Sequence, residues 1–147
     1  DPNYASQTGY EVDALYSHLS DLEAASVTVF LDACFSGANR NNEMLLADAR
    51  PVFMEVNESM ARNVTVFSAA GGKQISSAWP EKKHGLFTYF LMKGLKGAAD
   101  INNDKNITVG ELASYVETNV SETAGMLDRE QTPGLQARDH NEIIVKY

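Results

Sequence analysis

Residues 26–37 read SVTVFLDACFSG, and this stretch decides the fold. The run VTVFLDAC is β-branched and apolar nearly throughout, as expected of a strand buried on both faces of a sheet. Ser36 and Gly37 then turn the chain. Cys34, the single cysteine of the sequence, stands at the junction between strand and turn. In open α/β sheets, sites lie at the carboxyl ends of the strands. Cys34 is therefore either a nucleophile exposed at such an end or a small apolar residue buried in the core, the usual fate of a lone Cys. Asp32 lies two residues earlier and, by the period of two along a strand, on the same side of it.

The same alternation of strand and helix signals continues on both sides. Residues 11–22, EVDALYSHLSDL, put Val12, Leu15, Leu19 and Leu22 on one helical face. NVTVFSAA, 63–70, is a second buried strand. HGLFTYFLMKGL is a buried helix, with Leu86, Phe87, Phe90 and Leu91 at helical spacing. TVGELASYVETNV is an amphipathic helix with Val109, Leu112, Val116 and Val120 inward, and EIIVKY is a last short strand. GGKQISSAWPEKK, 71–83, is turn-rich, and residues 38–62 are loop-rich with one short helix at NEMLLADA. Strands separated by helices predict an α/β domain with a mostly parallel sheet. No repeat or second domain interrupts residues 1–147.

Bulk composition narrows the partners. The chain has 147 residues, enough for one domain with a real core. Its net charge of -8 disfavours nucleic acid and anionic membranes. No run approaches the ~20 apolar residues of a membrane span. A single cysteine gives no sign of redox compartment. DPNYASQTGY carries no initiator Met and no signal-peptide pattern, so it reads as the interior of a longer protein, and localisation is not legible.

LDACFSG resembles the nucleophile segment of the caspase-like cysteine peptidases, closest to the metacaspases and their bacterial relatives. HGLFTYFLMKGLKG, ADINNDKNITVGELASYV and QTPGL are similar to the bacterial caspase-like pattern, in the same order. The resemblance implies an α/β/α sandwich, here incomplete at its N-terminal side, and an endopeptidase acting on polypeptides. Cys34 would attack a peptide carbonyl as thiolate, with its own backbone N–H donating to the oxyanion. Asp32 stands where true caspases carry Gln. In metacaspase-like enzymes that position lines the pocket for the residue before the scissile bond, and an acid there selects Arg or Lys. The bland alternative for Asp32 is a strand-end carboxylate capping a backbone N–H. The resemblance makes Ser77, Ala78 and Trp79 part of the cleft wall, where a substrate pairs as an extended strand. Trp79 is equally compatible with a place in the core.

A thiol nucleophile needs a base. In caspases the histidine precedes the cysteine by ~50 residues, more than this sequence provides. His18 falls on the polar side of the first helix, His84 begins the HGLFT helix, and His140 reads as surface loop. The dyad histidine is thus expected upstream, on an N-terminal fragment of the same precursor that stays associated. A pseudoenzyme or interaction module without the dyad is the alternative. The loop from Arg40 to Arg50 is the expected self-cleavage region.

DINNDKNITVGE, 100–111, has the spacing of a calcium-binding loop. Asp100, Asn102 and Asp104 fall at positions 1, 3 and 5, Asn106 offers a carbonyl, and Glu111 falls at position 12. Lys105 stands where such loops want Gly. The competing account is local: Thr108 and Glu111 form a capping box, T-x-x-E, at the start of the next helix.

Overall fold

The structure, a computed structural model, describes residues 12–32, 63–71, 74 and 76–147. Cys34, the segment from Arg40 to Arg50 and the expected helix at NEMLLADA lie outside the described residues. What is described is a mixed α/β arrangement of three helices and three small sheets.

The two apolar runs of the sequence form its centre. Strand β1 (Val27–Leu31) and strand β2 (Val64–Ser68) pair in parallel, with Val27 opposite Val64 and Leu31 opposite Ser68. Strand β6 (Gly134–Gln136) joins β2 on its other side, antiparallel, giving the order β1-β2-β6. The expected mostly parallel sheet is thus one parallel ladder beside an antiparallel one among the described residues. Gly134 lets β6 lie close to β2: a Cβ there would come within 2.7 Å of Ser68 Oγ, and that hydroxyl would have to turn away.

Strand periodicity sends alternate side chains to opposite faces, and both faces are covered. On one, Val64 and Val66 of β2 pack with Tyr16 and Leu19 of helix α1 (Val12–Ser20) and with Val27, Val29 and Leu31 of β1. On the other, Phe67 joins the main core, built from helix α2 (Leu86–Lys93) and helix α3 (Val109–Met126). Phe30 of β1 stacks on Phe67 across the ladder, ring centroids 5.2 Å apart. β2 is buried over its first four residues, whereas β1 is only partly buried and Phe30 is 37% exposed. Full burial on both faces holds for β2 alone.

The helices follow their sequence pattern with one correction. In α2, Leu86, Phe87, Phe90 and Leu91 are buried; in α3, Val109, Leu112, Val116, Val120 and Ala124 are. In α1 the buried residue is Tyr16, and Leu22 is half exposed. The reason is local. The helix stops at Ser20, whose hydroxyl donates to the Tyr16 carbonyl at 2.8 Å, so Leu22 falls past its end.

Shorter elements escaped the sequence pattern. Strands β3 (Ala78–Trp79) and β4 (His84–Gly85) make a small hairpin around a 3-10 turn, Pro80–Lys82; β3 and the turn fall within the stretch read as connection, whereas β4 takes the first two residues of the stretch read as helix. Helix α2 runs into a wide π-type turn, Gly94–Ala98, where Gly97 has φ +115, a conformation open to glycine. Strand β5 (Asn106–Thr108) pairs antiparallel with the C-terminal strand β7 (Ile143–Lys146). No helix among the described residues is long and apolar enough to cross a membrane.

Candidate functional site

The described part of β1 runs as far as Asp32, and its carboxylate is the meeting point of three distant segments. Ser76 Oγ donates to Asp32 Oδ1 at 2.6 Å, and Thr88 Oγ1 donates to Oδ2. Ser76 is fully buried and precedes β3; Thr88 lies in the first turn of α2. The segments LDACFSG, SSAWP and HGLFT are therefore joined through one charged group at the carboxyl end of β1. Hydrogen bonds to an ionised carboxylate are stronger than those between neutral partners, so this junction fixes the three elements against one another. Both of these bonds come from side-chain hydroxyls rather than from backbone N–H groups.

QTPGL supplies a second tie. Gln131 is 2% exposed. Its Oε1 accepts from the Ser77 N–H at 2.7 Å, and its Nε2 donates to the Ala69 carbonyl at 2.8 Å. One buried amide thus links the exit of β2 to the wall before β3. The neighbouring Thr132 N–H donates to Gln74 Oε1, and the Gly71 N–H donates to the Thr132 carbonyl. Gln131 belongs to QTPGL, a motif whose sequence gives this residue no role.

Ser77, Ala78 and Trp79 occupy this wall, and much of its backbone is engaged within the chain. Ser77 is buried, and its carbonyl accepts from the Leu86 N–H at 2.9 Å while Gln131 takes its N–H. The Ala78 carbonyl accepts from Arg129 Nη1 at 3.1 Å. The expected extended pairing with a substrate therefore meets main-chain groups that already have partners at Ser77 and at the Ala78 carbonyl. Trp79 is half-buried. Its ring packs edge-on to Tyr89 at 5.1 Å and against Phe90 at 5.7 Å, with Lys82 Nζ 5.7 Å from its centre. It is joined to the core on one side and partly exposed on the other.

All three histidines of the sequence are among the described residues, and all are exposed: His18 on α1, His84 on β4 and His140 in the turn before β7. His84 lies in β4, separated from α2 by its N-cap Gly85, so it stands just ahead of the helix entry.

The loop at 100–111 is held by short-range bonds. Asp100 accepts from the N–H groups of Asp104 and Lys105 at 3.2 and 3.1 Å, and Asn102 Oδ1 accepts from the Asp104 N–H at 2.9 Å. Asp104 Oδ1 accepts from the Asn106 N–H at 2.7 Å. That bond is the first cause holding the Asp104 carboxyl below its ordinary value, with the side-chain amides of Asn106 and Asn102 adding to it against a desolvation that opposes. Lys105 takes φ +65, the left-handed conformation for which glycine is favoured. Glu111 completes the capping box: its Oε2 accepts from the Thr108 N–H at 3.0 Å, and its N–H donates to Thr108 Oγ1 at 3.2 Å. Tyr147 closes over the loop, its hydroxyl donating to Asp100 at 2.9 Å. Desolvation, then this bond and the charge of Asp100, raise the Tyr147 phenol above its ordinary value. Among the described residues no group of three or more His, Cys, Asp or Glu side chains could hold a metal ion. As they stand, the five calcium candidates are accounted for by turn and cap bonds.

A polar cleft of about 300 Å³ opens at the other, amino-terminal ends of β1 and β2, lined by residues including Ser26, Asn63, Arg138 and Asp139. It is remote from the carboxyl end of β1, where α/β sheets place their chemistry. In the comparisons with known proteins, no family model, no curated protein and no solved structure matches the chain.

Proposed function

We propose that the chain is the Cys34-bearing part of a caspase-like cysteine endopeptidase that cleaves after Arg or Lys. The observation that carries this reading is the convergence on Asp32. The segments on which the family resemblance rests lie 44 and 56 residues from Asp32, yet their hydroxyls meet on its carboxylate. An acid at the end of β1, two residues before the one thiol, supplies a counter-charge for a basic side chain.

In the proposed reaction the Cys34 thiolate adds to the carbonyl carbon of the scissile bond, and the oxyanion takes a hydrogen bond from the Cys34 N–H. The C–N bond then breaks, and the leaving amine takes a proton from the acid form of the base. Water adds to the thioester, and the acyl product leaves as a carboxylic acid, regenerating the thiol. The base is assigned, as the resemblance implies, to a histidine about 50 residues before Cys34, on a segment preceding residue 1. That segment is also the proposed partner chain.

Alkylation tests the reading. Precursor protein treated with peptide chloromethyl ketones ending in Arg, Lys or Asp is expected to gain one label on Cys34 from the Arg and Lys reagents only. Labelling by the Asp reagent alone would overturn the specificity. No labelling by any of the three would favour a pseudoenzyme or interaction module.

A further inference from the structure

We propose that Ser76 and Thr88 are positioning residues that fix the plane of the Asp32 carboxylate and thereby set a preference for Arg over Lys, an inference that rests on the role given to Asp32 above. The terminal torsion of an aspartate is broad and roughly two-fold, so an unanchored carboxylate turns readily about its Cβ–Cγ bond. Here each oxygen is held by its own hydroxyl, Oδ1 by Ser76 and Oδ2 by Thr88. A group pinned at both oxygens has a defined plane.

The anchors are themselves fixed. Ser76 is fully buried, one residue before the Ser77 backbone that Gln131 grips. Thr88 rides on α2, whose Leu86, Phe87, Phe90 and Leu91 are core residues. The orientation of the carboxylate is thus tied to the rigid part of the molecule, as a precise site requires.

A fixed plane matters differently to the two basic side chains. A guanidinium is planar and presents its donors as a rigid fork, which pairs well only with a carboxylate in matching orientation. An ammonium is a compact charge with rotatable donors and is nearly indifferent to that orientation. Anchoring the plane therefore favours Arg, while the charge of Asp32 serves both. A purely structural tether would lower both affinities together or neither.

The test uses the full precursor carrying Cys34→Ala, so that binding is read without turnover. Calorimetry would compare three peptides that differ only in a final Arg, Lys or Leu. The parent is expected to bind Arg tighter than Lys and both tighter than Leu. Thr88→Val keeps the side-chain shape and removes the donor. It is expected to weaken the Arg peptide about tenfold and the Lys peptide less than about twofold, the loss expected for one fork-setting contact. Thr88→Ser should restore the parent ratio. Ser76→Ala should reproduce the Thr88→Val pattern and stands in for that variant should it not fold. Equal losses for Arg and Lys, or no loss, would overturn the inference and leave the reading of Asp32 standing. A parent that does not prefer basic peptides over Leu would remove both.

Discussion

Two groups of carboxylates in this molecule are held in opposite ways. Asp32 is partly buried and takes two bonds from hydroxyls 44 and 56 residues away. Asp100 and Asp104 are bonded mostly by backbone N–H groups two to five residues ahead of them, with the Tyr147 hydroxyl as a long-range donor to Asp100. The first arrangement exists only when sheet, wall and helix are assembled. The second is turn chemistry that a short peptide can make.

The contrast can be broken first at Asp32. Asp32→Asn keeps an acceptor and loses the charge. With a desolvated charge pair typically worth about 2–5 kcal/mol, cleavage of Arg substrates should fall by about two orders of magnitude or more in kcat/KM. Cleavage kinetics of the precursor on matched Arg and Leu peptides check this; an unchanged Arg preference would make Asp32 a tether only. Next comes Gln131→Leu, which strands the buried Ser77 N–H and Ala69 carbonyl. A destabilisation of about 2–4 kcal/mol is expected, read as a lower midpoint in urea at unchanged slope.

Effects should shrink at the acidic loop. Thr108→Ala removes the cap that the Glu111 N–H donates to and should cost about 1 kcal/mol in the same assay. A smaller change is expected with pH. Asp104 titrates below its ordinary value in the folded chain, so its contribution to stability is present above the unfolded pKa and is lost as pH falls through the folded one. Asp104→Asn should therefore flatten part of the decline in stability on the acid side of about pH 4, followed by urea midpoints between pH 3 and 6. The smallest effect is assigned to calcium. With Glu111 committed to Thr108, millimolar calcium should leave the melting temperature unchanged. A rise that Glu111→Gln abolishes would show that the loop opens to ligate the ion.

The same contrast explains what could be read in advance. VTVF at both strands, the spacing of Leu86, Phe87, Phe90 and Leu91, and the Thr108–Glu111 box are local patterns, and each marks an element that formed. Strands β3 to β6 are two or three residues long and arise from tertiary pairing, which no periodicity announces. Tyr16 replaced Leu22 as the anchor of α1 because the helix ends two residues too early for Leu22 to face the sheet. Asp32 could be singled out from its place beside Cys34. Its hydroxyl partners could not, because nothing in SSAWP or HGLFT says where their side chains turn. Gln131 was hidden for the same reason, its two bonds spanning 54 and 62 residues.

The most direct measurement is the cleavage pattern of the precursor on a peptide library varied at the residue before the scissile bond. Cleavage confined to Arg and Lys, with Arg preferred and all turnover lost in Cys34→Ala, is the predicted result. Cleavage after acidic or apolar residues, or turnover that survives Cys34→Ala, would contradict the account.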